Sequence, residues 1–338
     1  MITDYLSDVF KNVYTDTILE WQKQGLSDAE IIKKLDQDTI NDSLKLLLDQ
    51  ASKDYHEYFI EKKYEISHKQ KIEQDKFIAH HNSIWGECFT VSETMYVMAL
   101  EAAERYSAFV DDNISDDIKK EKQYTFFALQ YMHGRCCQEF LEILYLMKFG
   151  FADCAYARWR SMYELCCNAS FIMKYGEMIA KQYVEQSQTE NQTFDWAKGA
   201  KKDDGTELKI HGFNTIQENC GVDSAWKKQY QKGCFLIHGS PQGTFKRLSL
   251  MDEQSLVVVG HSDYGITTPA EHSAISLAWI TNMFLSIFPC LDALSHGRVI
   301  HDWVEEVRKV YFNTADECFG TTFNYSKGEQ NEPNLQNV

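Results

Sequence analysis

Two stretches carry residue types and spacings that could do chemistry. In "ARWRSMYEL", Arg160 and Glu164 stand four residues apart, and Asp153 lies seven before Arg160 on the same helical side. That side borders the apolar stripe. An arginine oriented there by a carboxylate can aim at an anion between helices. The same spacing also makes an ordinary i,i+4 ion pair, worth roughly 0.2–0.5 kcal/mol. In "GCFLIHGSPQG", His238 closes an apolar run, and Ser240, Lys246 and Arg247 follow as a local basic patch. Histidine suits acid–base work near neutral pH. His238 equally suits a helix C-terminus, with Gly239 at the left-handed position and Pro241 as a stop.

Further along the same argument, His133 sits on the apolar stripe of "YTFFALQYMHGRCCQEF". It is a core imidazole or a substrate contact, the first being the commoner role. Arg135, Glu139 and Glu142 read as a surface ion-pair row. Glu65 and His68 form one E-x-x-H, a spacing used by di-iron bundles, but no second copy exists. The doublets Cys136-Cys137 and Cys166-Cys167 lack C-x2-C spacing. The expectation is therefore no metal and no cofactor.

The elements that position these residues are helices. Only four prolines occur, all at or beyond Pro241, so little interrupts helical periodicity before that point. "LSDAEIIKKL" offers Ser27 and Glu30 as a capping box. Apolar stripes at three- and four-residue steps run through Leu129, His133, Cys136, Phe140, Leu144 and Met147, and again through Ala155, Trp159, Met162, Cys166, Ala169 and Met173. Gly150 between them predicts two antiparallel neighbours joined by a tight turn. A further helix is predicted from about Ser224 to His238. Thr268, Pro269 and Glu271 predict a helix start with Thr268 as N-cap. "LVVVG", Leu256 to Gly260, fits a short strand or a buried loop.

Composition bounds the function. A chain of 338 residues with 44% hydrophobic and 25% charged residues can bury a sizeable core. A formal net charge of −16 opposes a broad nucleic-acid or anionic-membrane surface, so such a partner needs a local basic pocket. The ten cysteines suit reduced thiols inside a cell, and "MITDYLSDVF" has no signal-peptide pattern. "AISLAWITNMFLSIFPCLDAL", Ala274 to Leu294, is long enough to span a membrane. Asn282, Pro289 and Asp292 interrupt it, so a buried central helix is expected instead.

With those residues in view, "ARWRSMYEL" followed after a long interval by "CFLIHGSPQG" resembles the bacterial helical domain of unknown function numbered fifty-six seventy-seven. Arg160 and Glu164 match its arginine-x-x-x-glutamate helix, His238 its later histidine, and "IWGE" near Trp85 an upstream element. The resemblance runs from about Ile84 to Val310 and implies an all-α fold without an established activity. More loosely the chain is similar to helical proteins of abortive-infection and toxin systems, including the HEPN ribonucleases. Those carry R-x4-6-H, which occurs nowhere here; Arg298 and His301 come nearest, with two residues between.

Together these readings predict an all-α, irregular helical bundle. It has a helical N-terminal arm over 1–83, a core domain over 84–324 and a flexible tail over 325–338. The expected function is a cytoplasmic effector acting on RNA or a nucleotide, in a bacterial defence or toxin-like setting, as a metal-independent ribonuclease or another phosphodiester-directed activity. His238 would act as acid or base, Arg160 would stabilise phosphate charge and Glu164 would orient Arg160. Lys246, Arg247, Ser240 and His133 would bind substrate. The alternative is a non-enzymatic helical module that binds a protein partner or a second copy of itself.

Overall fold

The structure, a computed structural model, describes residues 15–34, 37–190, 193–223, 225–237, 241–245, 248–249 and 259–320. The protein is all-α. Among the described residues the sole β feature is an isolated bridge between Lys201 and Glu207. The chain divides into two compact units, Met1–Lys76 and Phe77–Val338.

The first unit holds α1 (residues 15–23), α2 (Asp28–Lys34) and the start of α3 (Gln37–Asn113). The capping box at Ser27 forms. Glu30 Oε2 accepts the Ser27 backbone N–H at 2.8 Å and the Ser27 hydroxyl at 2.7 Å. Ile31 is buried, whereas Ile32 is exposed, so one isoleucine of the predicted face packs. Glu65 is taken by surface ion pairs to Lys62 at 3.4 Å and Lys69 at 2.8 Å, and His68 is exposed. No metal-competent group of three or more His, Cys, Asp or Glu occurs among the described residues.

The second unit begins on the later turns of α3, where Trp85, Met95, Ala99, Ala102, Tyr106 and Val110 are buried at helical steps. Then follow α4 (Asp116–Glu121), α5 (Gln123–Lys148), α6 (Ala152–Tyr175), α7 (Glu177–Gln186) and a 3₁₀ turn at Asp195–Ala197. After these come α8 (Phe213–Asn219), α9 (Ala225–Ile237), α10 (Pro241–Phe245), α11 (Thr267–Leu285) and α12 (Leu291–Phe319). The α5 stripe is buried along its whole length. On α6 the stripe holds to Ala169 and fails at Met173, which is exposed.

Gly150 makes the turn between these helices. At φ 71° it donates to Met147 O at 2.9 Å, and Phe151 N donates to Leu146 O at 2.9 Å. This pair of bonds is the Schellman closure, which satisfies two of the last carbonyls of α5. A Cβ at this position would lie 2.6 Å from the Phe77 ring and 2.8 Å from Ser262 N, so glycine is required twice over.

At the centre lies α11, which packs on α5, α6 and α12. None of its residues is exposed, and buried polar members such as Ser273 and Thr281 bond back to carbonyls of their own helix. The predicted single helix from Ala274 to Leu294 is broken at 286–290 around Pro289, and α12 starts afresh at Leu291. Its N-cap is Cys290, whose Sγ accepts from Ala293 N at 3.4 Å. The predicted start of α11 also shifts. The helix opens at Thr267 with Ile266 at the N-cap, and Glu271 faces Arg308 of α12 at 2.8 Å instead of capping its own helix. Tertiary pairing with a cation won over the local motif. Pro241 likewise opens α10 instead of merely stopping α9. No helix of the described residues is long and apolar enough to cross a membrane. Leu256–Val258 of the possible strand and the tail over 325–338 lie outside the described residues.

Candidate functional site

Arg160 and Glu164 are joined, but by way of a third residue. Arg160 Nη2 lies 3.4 Å from Glu164 Oε1 and donates to the Tyr230 hydroxyl at 2.7 Å. That hydroxyl donates in turn to Glu164 Oε1 at 2.6 Å. The guanidinium carbon stands 4.5 Å from the Tyr230 ring centroid, a cation–π contact. Tyr230 belongs to α9, which comes close because residue 233 is glycine. A Cβ there would meet Arg160 Cγ at 2.8 Å. Burial, and next the hydrogen bond to Glu164, push the Tyr230 phenol well above its ordinary pKa, so it stays a donor. Only 17% of the Arg160 side chain is exposed. The cluster clamps α9 onto α6, and the arginine points at a tyrosine, not into an open cleft.

Asp153, on the same side of α6, accepts Leu248 N at 2.7 Å and also the Ser249 hydroxyl. So α6 grips the chain at Tyr230 and again at Leu248–Ser249. His238, Ser240, Lys246 and Arg247 fall between those two anchors and lie outside the described residues. His133 is buried at the α5–α11 contact, with Nε2 3.1 Å from Thr281 Oγ1 and its ring stacked on Phe284. Burial drives its pKa down to about 4. It is a neutral core residue that an outside ligand does not reach.

The row Arg135, Glu139 and Glu142 lies at the surface only at its ends, where Arg135 is exposed and Glu142 partly so. Glu139 is fully buried, with Oε1 taken by Ser161 Oγ at 2.9 Å, Arg135 Nε at 3.0 Å and Arg158 Nη2 at 3.2 Å. Its Oε2 is buried without a partner, and burial holds its pKa above the usual carboxylate range. Arg158, absent from the sequence reading, turns this row into a bridge between α5 and α6.

An open cleft of about 690 Å³ lies elsewhere, between α11, α12 and the start of α9. That volume suits a small organic ligand. Its aromatic walls are Trp226 on α9 and Trp279 on α11, with Ile275 and Val304 adding apolar surface. Arg298, His301 and Arg308 of α12 also face it, alongside Asp223 and Glu305. Steps of three and seven residues place the three basic side chains along one helical face. Arg298 is paired with Asp302 at 3.0 Å, and Arg308 with Glu271 at 2.8 Å and Glu305 at 3.1 Å. The lining charges nearly balance, so the cleft suits a ligand of low negative charge and not a polyanion.

Residue 297 brings α12 tight against α11 at the cleft's base. A Cβ there would stand 2.4 Å from Asn282 Oδ1, while Asn282 Nδ2 donates to Gly297 O at 3.2 Å. Behind Trp226 lies His272, 7% exposed, with Tyr156, Trp159 and Trp226 turned edge-on to its ring at 5.5, 4.8 and 5.2 Å. Neither ring nitrogen has a hydrogen-bond partner. Glu271 Oε2 is 3.9 Å from Nδ1, beyond bonding reach. Burial drives the His272 pKa down to about 3, and the Thr268 carbonyl one turn earlier opposes that fall without a well-formed bond. An unpaired buried polar group costs about 1–3 kcal/mol, so one in a native core calls for an explanation.

A family model described as "Family of unknown function (DUF5677)" matches residues 126–210. That span covers roughly a quarter of the chain and holds Arg160, Glu164 and the Glu139 bridge. It leaves out "IWGE", α9 and the cleft wall on α12. The similarity to this domain of unknown function is therefore carried by α5, α6 and α7 and the loop after them. No curated protein and no solved structure matches the chain.

The "IWGE" tryptophan has a packing role. Trp85 is buried against Tyr311 and Phe319, and its Nε1 donates to Asp263 O at 3.0 Å. Sequence reasoning missed the cleft. Its only signal was Arg298 and His301, noted as a poor R-x4-6-H; Trp226 and Trp279 carried none.

Proposed function

We propose that this protein is a helical effector that takes a nucleotide in the cleft between α11 and α12. The observation that carries the proposal is the meeting of Trp226 and Trp279 with Arg298, His301 and Arg308 around one opening of about 690 Å³. Indole rings offer stacking to a nucleobase, and arginine and histidine offer charge to one phosphate. The net charge of −16 repels a long RNA, whereas a mononucleotide or a short RNA end needs only this local patch. In this reading Arg160 and Glu164 are positioning residues that hold α9, and through it Trp226, in place. All ten cysteines are free thiols, which agrees with a reducing, cytoplasmic setting. Bacterial defence remains part of the proposal.

The test is titration of tryptophan fluorescence and calorimetry with AMP, GMP, CMP, UMP and a short single-stranded RNA. The expected result is binding by at least one with Kd below about 1 mM, or about −4 kcal/mol, weakened at least tenfold in Arg298→Ala. Absence of binding by every ligand at that concentration removes the proposal. A second reading, a protein-binding module, draws on the exposed apolar residues Leu291, Leu294 and Val299 of α12, the first 82% exposed. Substitution of Leu291 and Val299 by Ser would then abolish partner or self-association and leave nucleotide binding intact.

A further inference from the structure

We propose that His272 is the polar anchor of the cleft, a binding residue behind Trp226 that meets the edge of the ligand's heterocycle when that indole turns aside. The inference rests on the nucleotide reading and deepens it. Three rings enclose His272, and two of them are fixed. Trp159 is fully buried and its Nε1 donates to Ser276 Oγ at 3.0 Å; Tyr156 is also buried and its hydroxyl donates to Gln229 O at 2.8 Å. The third, Trp226, is partly exposed, lines the cleft and makes no side-chain hydrogen bond among the described residues. It stands in the first turn of α9, and its contacts with Trp159 of α6 and His272 of α11 are ring contacts that a rotation about its own side-chain bonds would exchange for contacts with a ligand. Trp226 therefore touches both the open cleft and the buried imidazole.

The chemistry of the pocket selects the ligand group. Glu271, Arg308 and Lys232 are the charged groups that face His272; burial above all keeps the ring neutral, and the positive charges of Lys232 and Arg308 act in the same direction. A neutral imidazole presents one donor and one acceptor, and the tautomer decides which nitrogen carries which. Such a ring meets the mixed donor and acceptor edge of a nucleobase. It has little to offer a phosphate, which Arg298 and Arg308 serve. The unpaired nitrogens are then a cost of the free state that ligand binding relieves.

The experiment uses full-length protein with ¹⁵N-labelled histidine, titrated with AMP, GMP, CMP and UMP and, separately, with inorganic phosphate. A nucleotide should shift the His272 ring nitrogens, and phosphate should not. His272→Leu should lower nucleotide affinity at least tenfold, leave phosphate affinity unchanged and keep or raise the melting temperature, since leucine leaves no buried polar atom unpaired. A purely structural histidine would instead lower the melting temperature and spare affinity. Nucleotide bound equally by wild type and His272→Leu, or bound with the His272 signals unmoved, overturns the inference and leaves the cleft reading standing. No nucleotide bound by wild type overturns both. If His272→Leu does not fold, Trp226→Ala decides. Diethylpyrocarbonate should then modify His272, which it spares in wild type, and resistance in that variant refutes the gate.

Discussion

Tyr230→Phe separates the two roles open to Arg160. The substitution removes one oxygen and keeps the ring that stacks under the guanidinium. That oxygen holds two charge-assisted hydrogen bonds, at 2.7 Å from Arg160 Nη2 and 2.6 Å to Glu164 Oε1. Each such bond contributes about 1.5–3 kcal/mol when buried. Their sum overstates the loss, because Glu164 is 40% exposed and regains water, and because Arg160 and Glu164 start only 3.4 Å apart and can close on each other. The net cost should be about 1–2 kcal/mol. Urea unfolding should show that loss at unchanged m, with the melting temperature lowered by about 2–6 °C. Nucleotide affinity should change less than threefold, since the fold of α9 and Trp226 survive. A variant as stable as wild type but devoid of ligand-dependent function would refute the clamp, and would return Arg160, Tyr230 and Glu164 to the chemistry of the site.

Two other perturbations probe the framework. Gly150→Ala should cost more than about 2 kcal/mol in urea unfolding, since it combines a left-handed φ of 71° with a Cβ 2.8 Å from the Ser262 backbone nitrogen; a loss under about 0.5 kcal/mol would show that the α5–α6 turn tolerates rearrangement. His133 and His272 have folded pKa values of about 4 and about 3, below the ordinary histidine value near 6.5. The unfolded chain therefore binds more protons than the folded one between these limits. Stability is full above pH about 6.5 and is lost as pH falls towards 4 and 3. Glu139 and Glu271, held above the usual carboxylate range, act in the opposite sense at the acid end. Urea unfolding of His133→Leu at pH 7 and pH 5 should show a smaller loss between the two than wild type; an equal loss would remove His133 from the pH response.

Helical periodicity was legible because it is local. The burial of Leu129, Cys136, Phe140, Leu144 and Met147 follows from a repeat of 3.6 residues, and the turn at Gly150 from its freedom at positive φ. The Ser27–Glu30 box is local in the same sense. The site was not legible, for a reason equally physical. Arg160 reads as half of an i,i+4 pair until Tyr230, 70 residues later, enters between its members. Glu139 reads as a surface glutamate until α6 covers it with Arg158 and Ser161. Glu271 reads as a cap until Arg308 draws it across to α12. Trp226, Trp279 and Arg298 come from three separate helices, and no periodicity within any one of them states that they share a wall. Local hydrogen bonding and hydrophobic spacing decide which segments become helices. Only the packing of α9, α11 and α12 decides which of their borderline residues are sealed, which are paired, and which are left facing an opening.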